Sequence, residues 1–129
     1  MEIPDNIRLS EIGQIAITVS DVEKCTVFYR DVLGLPFLFA AGPNLTFLGA
    51  GGVRLMLSTP QGAGEPGKNS ILFFKVADIK AAHAAILARG AANDTEPRLV
   101  AQMPDHELWL SAVRDPEGNI VELMSEVRP

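Results

Sequence analysis

The stretch "ITVSDVEKCTVFYRDVLGLP", Ile17 to Pro36, has the grammar of strand, cap, helix and stop. Ser20 followed by Glu23 is a capping-box pattern, in which side chains take up N–H groups that a first helical turn leaves unpaired. Val22, Val27, Phe28 and Leu33 supply an apolar helix face. Gly34 ends the helix and Pro36 prevents its resumption. The same grammar returns in "FFKVADIKAAHAAILARGAAN", Phe73 to Asn93. There Asp78 is the cap, Ile79, Ala82 and Ile86 form the inner face, and Arg89 and Gly90 end the helix.

The two stretches match in register. Val19, Asp21 and Val22 fall on Val76, Asp78 and Ile79 at a constant offset of 57. "GVRLML" (Gly52 to Leu57) and "GNIVEL" (Gly118 to Leu123) match at an offset of 66, so the second half carries extra residues before its last hairpin. Between the halves, "TPQGAGEPGKNS" (Thr59 to Ser70) is rich in Gly and Pro and reads as a linker. After the first helix come the strand-like runs "LPFLFA", "NLTFLG" and "VRLMLS"; after the second come "RLVA", "HELWLSAV" and "NIVELM". Each half therefore reads β-α-β-β-β. The expectation is an α+β fold of tandem βαβββ modules in one domain, residues 1–129. The first module covers 12–58, the linker 59–70 and the second module 71–126. The turn "DPEGN" (Asp115 to Asn119) has a mechanism, since Pro116 presets φ and Gly118 or Asn119 tolerates positive φ.

Composition narrows the function. The chain has 129 residues, 47% of them hydrophobic, which is enough for one domain with a sizeable core. A net charge of −5 argues against nucleic acid or an anionic membrane as partner. The lone Cys25 cannot form an internal disulfide. The N-terminal "MEIPDNIRLS" lacks the apolar core of a signal peptide, and no apolar run approaches the roughly 18 residues of a membrane span. The expectation is a soluble cytoplasmic domain.

One residue resists the bland reading. Glu122 sits among Ile120, Val121, Leu123 and Met124 in a short apolar run that reads as a strand. Ile120, Glu122 and Met124 point one way, and Val121 and Leu123 the other. An ionised carboxylate among apolar neighbours is costly unless paired, hydrogen-bonded or metal-bound. Glu122 therefore has a partner, lines a wet cavity, or reaches water near a strand end.

The tandem βαβββ pattern, the Ile17–Pro36 stretch and the "DPEGNIVEL" ending resemble the vicinal oxygen chelate superfamily. That group includes glyoxalase I, methylmalonyl-CoA epimerase, extradiol dioxygenases, fosfomycin-resistance enzymes and bleomycin-binding proteins. The resemblance spans roughly Ile12 to Glu126 and implies mixed, curled sheets forming a cleft (the glyoxalase-like fold). It also implies a divalent metal held by pseudo-symmetric strand positions: His or Gln on the first strand of each half, and usually Glu on the last. Carried over, these positions are Gln14, Ile71, Met56 and Glu122. Gln14 is a weak oxygen ligand, Ile71 is none, and Met56 offers a thioether poorly suited to hard ions. Shifting the register to Ser70, Leu72, Leu55 or Leu57 supplies no ligand set. The expectation is thus no standard metal site, and no cofactor is assigned.

The remaining candidates follow from chemistry. His106, flanked by Asp105 and Glu107, suits a general base or donor; the alternative is a solvated hairpin residue. Glu122 and His106 are the candidate catalytic pair, and Gln14, Met56, Ile71 and Trp109 the candidate substrate contacts. His83 reads as a packed or partly exposed helix residue, and Cys25 has no base beside it. Arg54 and Arg114 read as strand-end charges or as neutralisers of a carboxylate ligand. The leading expectation is an apolar cleft that binds a small organic molecule. Two alternatives stand beside it: a metal-dependent lyase, isomerase or dioxygenase with an altered ligand set, and a non-catalytic module with a vestigial cleft. The resemblance also implies a homodimer.

Overall fold

Each helix begins at an aspartate with an extended backbone whose carboxylate accepts the N–H three residues on: Asp21 from Lys24 at 2.9 Å, and Asp78 from Ala81 at 3.1 Å. The cap of the first helix is thus Asp21 and not the expected Ser20. The Ser20 N–H is instead taken by a carboxylate from the other half of the chain, Glu117. Gly34 and Gly90 end the helices at φ +85° and +109°, a left-handed conformation that costs glycine little.

The computed structural model describes residues 2–129. A short 3₁₀ turn (Asp5–Ile7) precedes the first module. That module contains β1 (Gln14–Thr18), α1 (Val22–Val27), β2 (Phe37–Ala40), β3 (Leu45–Ala50) and β4 (Val53–Ser58). The second contains β5 (Leu72–Lys75), α2 (Ile79–Ala88), β6 (Ala92–Gln102), β7 (Glu107–Arg114) and β8 (Ile120–Val127). The strands form two four-stranded sheets of identical topology, β1-β4-β3-β2 and β5-β8-β7-β6. In each, the first and last strands run parallel and the other pairs antiparallel. The α+β fold of tandem βαβββ modules is the one the sequence implies. The repeat holds at the level of pairing: Ala16 lies opposite Met56, and Phe73 opposite Glu122.

Alternation along the strands divides each sheet into a core face and an open face. Ile17, Leu48, Leu55 and Leu57 from the first sheet and Val113, Val121 and Leu123 from the second join Val22, Cys25, Phe28, Tyr29, Ile79 and Ile86 in one buried cluster. The inner face of α1 differs from expectation. At about 3.6 residues per turn, Tyr29 returns to the side of Val22 and Val27 does not. Tyr29 is accordingly buried and Val27 is 44% exposed. Beyond Val27 the helix widens into a π turn (Phe28–Val32), closed by the Leu33 N–H donating to Phe28 O. The sixth strand is also longer than "RLVA". It bulges around Pro97, which an edge strand tolerates because one side of it needs no ladder hydrogen bonds.

The modules are clasped by the Asp115–Asn119 turn. The Asp115 carboxylate accepts the Glu117 and Asn119 N–H groups, the Asn119 amide and the buried Tyr29 hydroxyl, all between 2.8 and 2.9 Å. From the linker, Asn69 brackets Thr18, accepting its N–H at 3.0 Å and donating to its carbonyl at 2.8 Å. It also donates to Asn119 Oδ1. The linker is therefore tied to both modules by specific bonds despite its loop composition. No helix among the described residues is long and apolar enough to cross a membrane.

Candidate functional site

The open face of the first sheet is built by a cross-strand ladder. Phe39 on β2 pairs with Phe47 on β3, and Phe47 with Met56 on β4. The two phenyl rings stack at 4.4 Å with an interplanar angle of 23°. Arg54, two residues before Met56, folds over both rings, its Cζ lying 5.8 Å from the Phe39 centroid and 5.3 Å from that of Phe47. A guanidinium over aromatic faces is held there by the ring quadrupoles. Its Nε–H donates to Gln14 Oε1 at 2.9 Å, and the Gln14 amide nitrogen donates in turn to Met56 Sδ at 3.6 Å. Gln14 and Met56, both candidate contacts, therefore belong to one hydrogen-bonded and aromatic platform. Phe47 and Met56 are largely covered, while the Phe39 ring is 44% exposed.

The corresponding face of the second sheet carries Glu122, opposite Phe73 on β5 and Ala112 on β7. It is half-buried. Burial pushes its carboxyl pKa above the usual range; the Arg98 guanidinium opposes that shift and Asp94 adds to it. Glu122 thus lies mid-strand on an open face, partly dried by its neighbours. Phe73 and Ile71 are 50% and 45% exposed and line an apolar cavity of about 540 Å³ with Ile15, Val53 and Leu72. This hollow is lined from β1, the β3–β4 hairpin and β5.

The candidate residues are not all brought together. Trp109 pairs with Ser125, on the face opposite Glu122, because it lies three positions before Ala112 along β7. It packs toward α2, with Lys80 Nζ 5.1 Å from its ring centroid, and its indole N–H donates to Glu107 at 3.1 Å. His106 lies beyond the Glu107–Val127 pair, so at about 3.3 Å per residue it is on the order of 17 Å or more along β8 from Glu122. Its Nδ1 contacts Asp105 at 2.8 Å and its Nε2 approaches Glu126 at 3.6 Å. The pairing of Glu122 with His106 in one acid–base site is therefore not a feature of the folded chain.

The other reactive side chains are structural. His83 is fully buried, with Nδ1 2.9 Å from Ser111 Oγ and Nε2 2.7 Å from Asn93 Oδ1. The Ser–His–Asn order suggests a nucleophile, but Ser111 is itself sealed in the core. Burial raises the Cys25 thiol pKa far above its usual value, and the Glu117 carboxylate adds to the shift. Arg114 is engaged by Asp94 at 2.8 Å and by the Gly118 carbonyl.

The family's metal positions can be judged by their donors. Gln14 Oε1 is occupied by Arg54, Met56 offers a thioether and Ile71 offers nothing, which leaves Glu122 as the only anionic oxygen donor. Among the described residues no three His, Cys, Asp or Glu side chains are gathered to hold a metal ion. This donor set does not fit a hard divalent cation, which needs several oxygen or nitrogen ligands.

Two βαβββ sheets of matching topology define a glyoxalase-like α+β protein. The model of the Glyoxalase/Bleomycin resistance protein/Dioxygenase superfamily matches residues 11–123, and the chain belongs to that superfamily. Three solved structures show the breadth of the fold. A lactoylglutathione lyase from Agrobacterium tumefaciens is 23% identical, with 92% of this chain and 95% of that one covered and a TM-score of 0.76. TnmS3, an antibiotic binding protein from Streptomyces sp. CB03234, is 22% identical, with 93% and 98% covered and a TM-score of 0.76. A virulence protein from Salmonella typhimurium is 24% identical, with 94% and 100% covered and a TM-score of 0.77. No curated protein matches the chain.

The sequence alone singles out neither Phe39 nor Phe47, and Arg54 reads in it as a strand-end charge or a neutraliser of a carboxylate ligand. The signal that joins them is the Phe39–Phe47–Met56 register, which appears only once β2, β3 and β4 are paired.

Proposed function

We propose that this protein binds a small organic molecule with an aromatic or other flat apolar body on the open face of its first sheet, without a divalent metal at the family's ligand positions. The observation that carries this reading is the platform of Phe39, Phe47, Met56, Gln14 and Arg54, in which the positions expected to hold a metal are turned to apolar and amide chemistry. A preorganised aromatic surface with few, fixed polar groups is the usual composition of a small-molecule site. The shared fold with an antibiotic binding protein agrees with it. The other open face contributes a different chemistry. Glu122, with its raised pKa, suits a carboxyl that shares a proton with a ligand.

A homodimer belongs to the same proposal. Ile71, Phe73 and the apolar hollow between β1 and β5 form an exposed surface that a second copy of this chain covers.

Calorimetric titration with naphthamide, an uncharged bicyclic probe, tests the binding reading. Saturable binding weakened in Phe39→Ala, which removes the exposed ring of the stack, is the expected result; no binding by the native protein at about 1 mM would sink it. Thermal melts with Zn²⁺ and Mn²⁺ test the metal statement. A stabilisation abolished by Glu122→Ala would revive a chelate site. Sedimentation of Phe73→Glu against the native chain tests the dimer, whose dissociation is the expected result.

A further inference from the structure

Arg54 is the single charged residue in the four strands of the first sheet, whose sequences are QIAIT, FLFA, LTFLGA and VRLMLS. Such a residue would ordinarily swing into water. Here it is contacted from two sides. Its Cζ lies 5.8 and 5.3 Å from the Phe39 and Phe47 ring centroids, and its Nε–H donates to Gln14 Oε1. Among the described residues no carboxylate pairs with it. Its cross-strand neighbour on β3 is Gly49, which presents no side chain. Its two terminal amino groups donate no hydrogen bond to the described residues and are left as a pair of donors.

Resting on the aromatic-site reading above, we infer that Arg54 is the specificity residue of that site and that the ligand it takes carries a carboxylate beside an apolar or aromatic body. A guanidinium presents two parallel N–H donors at the spacing of carboxylate oxygens, and such paired, charge-assisted bonds are stronger and more directional than neutral ones. Pre-positioning removes most of the ordering cost that a free arginine would incur on binding. Gln14 acts as a positioning residue: it fixes the orientation of the fork and keeps Nε occupied, so the ligand meets only the terminal edge. Phe39, the exposed ring of the stack, accepts the ligand's apolar body next to it. The overall net charge of −5 does not oppose this, because Glu122 and its acidic neighbour Asp94 lie on the other sheet.

Calorimetry on the full-length protein with a matched pair of probes decides the matter. Naphthoate and naphthamide share one aromatic body and differ in charge. The expected result is that the native protein binds naphthoate about tenfold or more tightly than the amide. Arg54→Gln erases that preference, so that the ratio of naphthoate to naphthamide affinity falls to about one. Arg54→Lys, which keeps the charge but not the fork, retains only part of it. Gln14→Ala reduces the preference. Equal affinity of the native protein for both probes, or a preference that survives Arg54→Gln, would overturn the inference while leaving the aromatic site standing. Failure of both probes to bind would remove the site itself and this inference with it.

Discussion

Glu117 and Asp21 stand 96 residues apart in sequence and are joined by one short bond, the Asp21 N–H donating to Glu117 Oε2 at 2.7 Å. The same carboxylate accepts the Ser20 N–H, so it sits at the start of α1, where the helix dipole favours negative charge. Burial works against its ionisation, but the Asp21 and Ser20 N–H groups outweigh burial and hold the Glu117 carboxyl below the usual carboxylate range. A carboxyl depressed in the fold stabilises it above the ordinary carboxylate pKa and loses that contribution as pH falls through the folded value. Glu117→Gln should therefore cost about 1–2 kcal/mol at neutral pH. Urea unfolding of both proteins should show the difference shrinking at acid pH, below about 4.

Tyr29 and Asp115 carry the buried part of the same clasp. The hydroxyl donates to Asp115 Oδ2 at 2.9 Å, and the tyrosine is 1% exposed. Tyr29→Phe keeps the packing and removes one bond, so a loss of about 1–2 kcal/mol is expected. Asp115→Ala strands several donors at once and should cost about 3 kcal/mol or more. Equal losses in the two variants would mean that Asp115 does not organise the turn.

Gly67 tests whether the linker is structural. It has φ +80°, and a Cβ there would come within 2.7 Å of the Glu117 carbonyl oxygen. Gly62 also has positive φ, at +103°, but open space around it. Gly62→Ala should cost about 1 kcal/mol from backbone strain alone, and Gly67→Ala distinctly more. Thermal melts that rank the two the other way would show the linker free to move off the turn.

The sequence carried the fold because its signals are local and repeated. Asp78 at a helix start, Gly34 and Gly90 at helix ends, and the offset between "GVRLML" and "GNIVEL" need no tertiary information. Alternation alone also separated Val121 and Leu123 from Glu122. What could not be read was set by partners distant in sequence. Glu117 takes the N–H of Ser20, so the local capping box gives way to Asp21. Trp109 faces α2 because β7 is fixed against β8 in a register that single-strand patterning cannot supply. His106 is separated from Glu122 by the length of a hairpin, which composition does not reveal. Arg54 looks like any strand-end charge until Phe39 and Phe47 are stacked beneath it.

Glu122 gives the opposite pH signature to Glu117. Burial raises its carboxyl, so the fold favours the protonated form and ionisation works against it. Its influence is unfavourable at neutral pH and fades as pH falls below the ordinary carboxylate range, where the group is neutral in both states. Glu122→Gln keeps the shape and removes the charge. The variant should therefore melt at a modestly higher temperature than the native protein at pH 7, with the advantage gone near pH 3–4. Partial exposure and the attraction of Arg98 keep the gain small, about 1 kcal/mol or less. A variant that melts lower at neutral pH would mean that the ionised carboxylate is paired in solution, and would make Glu122 part of a charged site instead of a partly dried one.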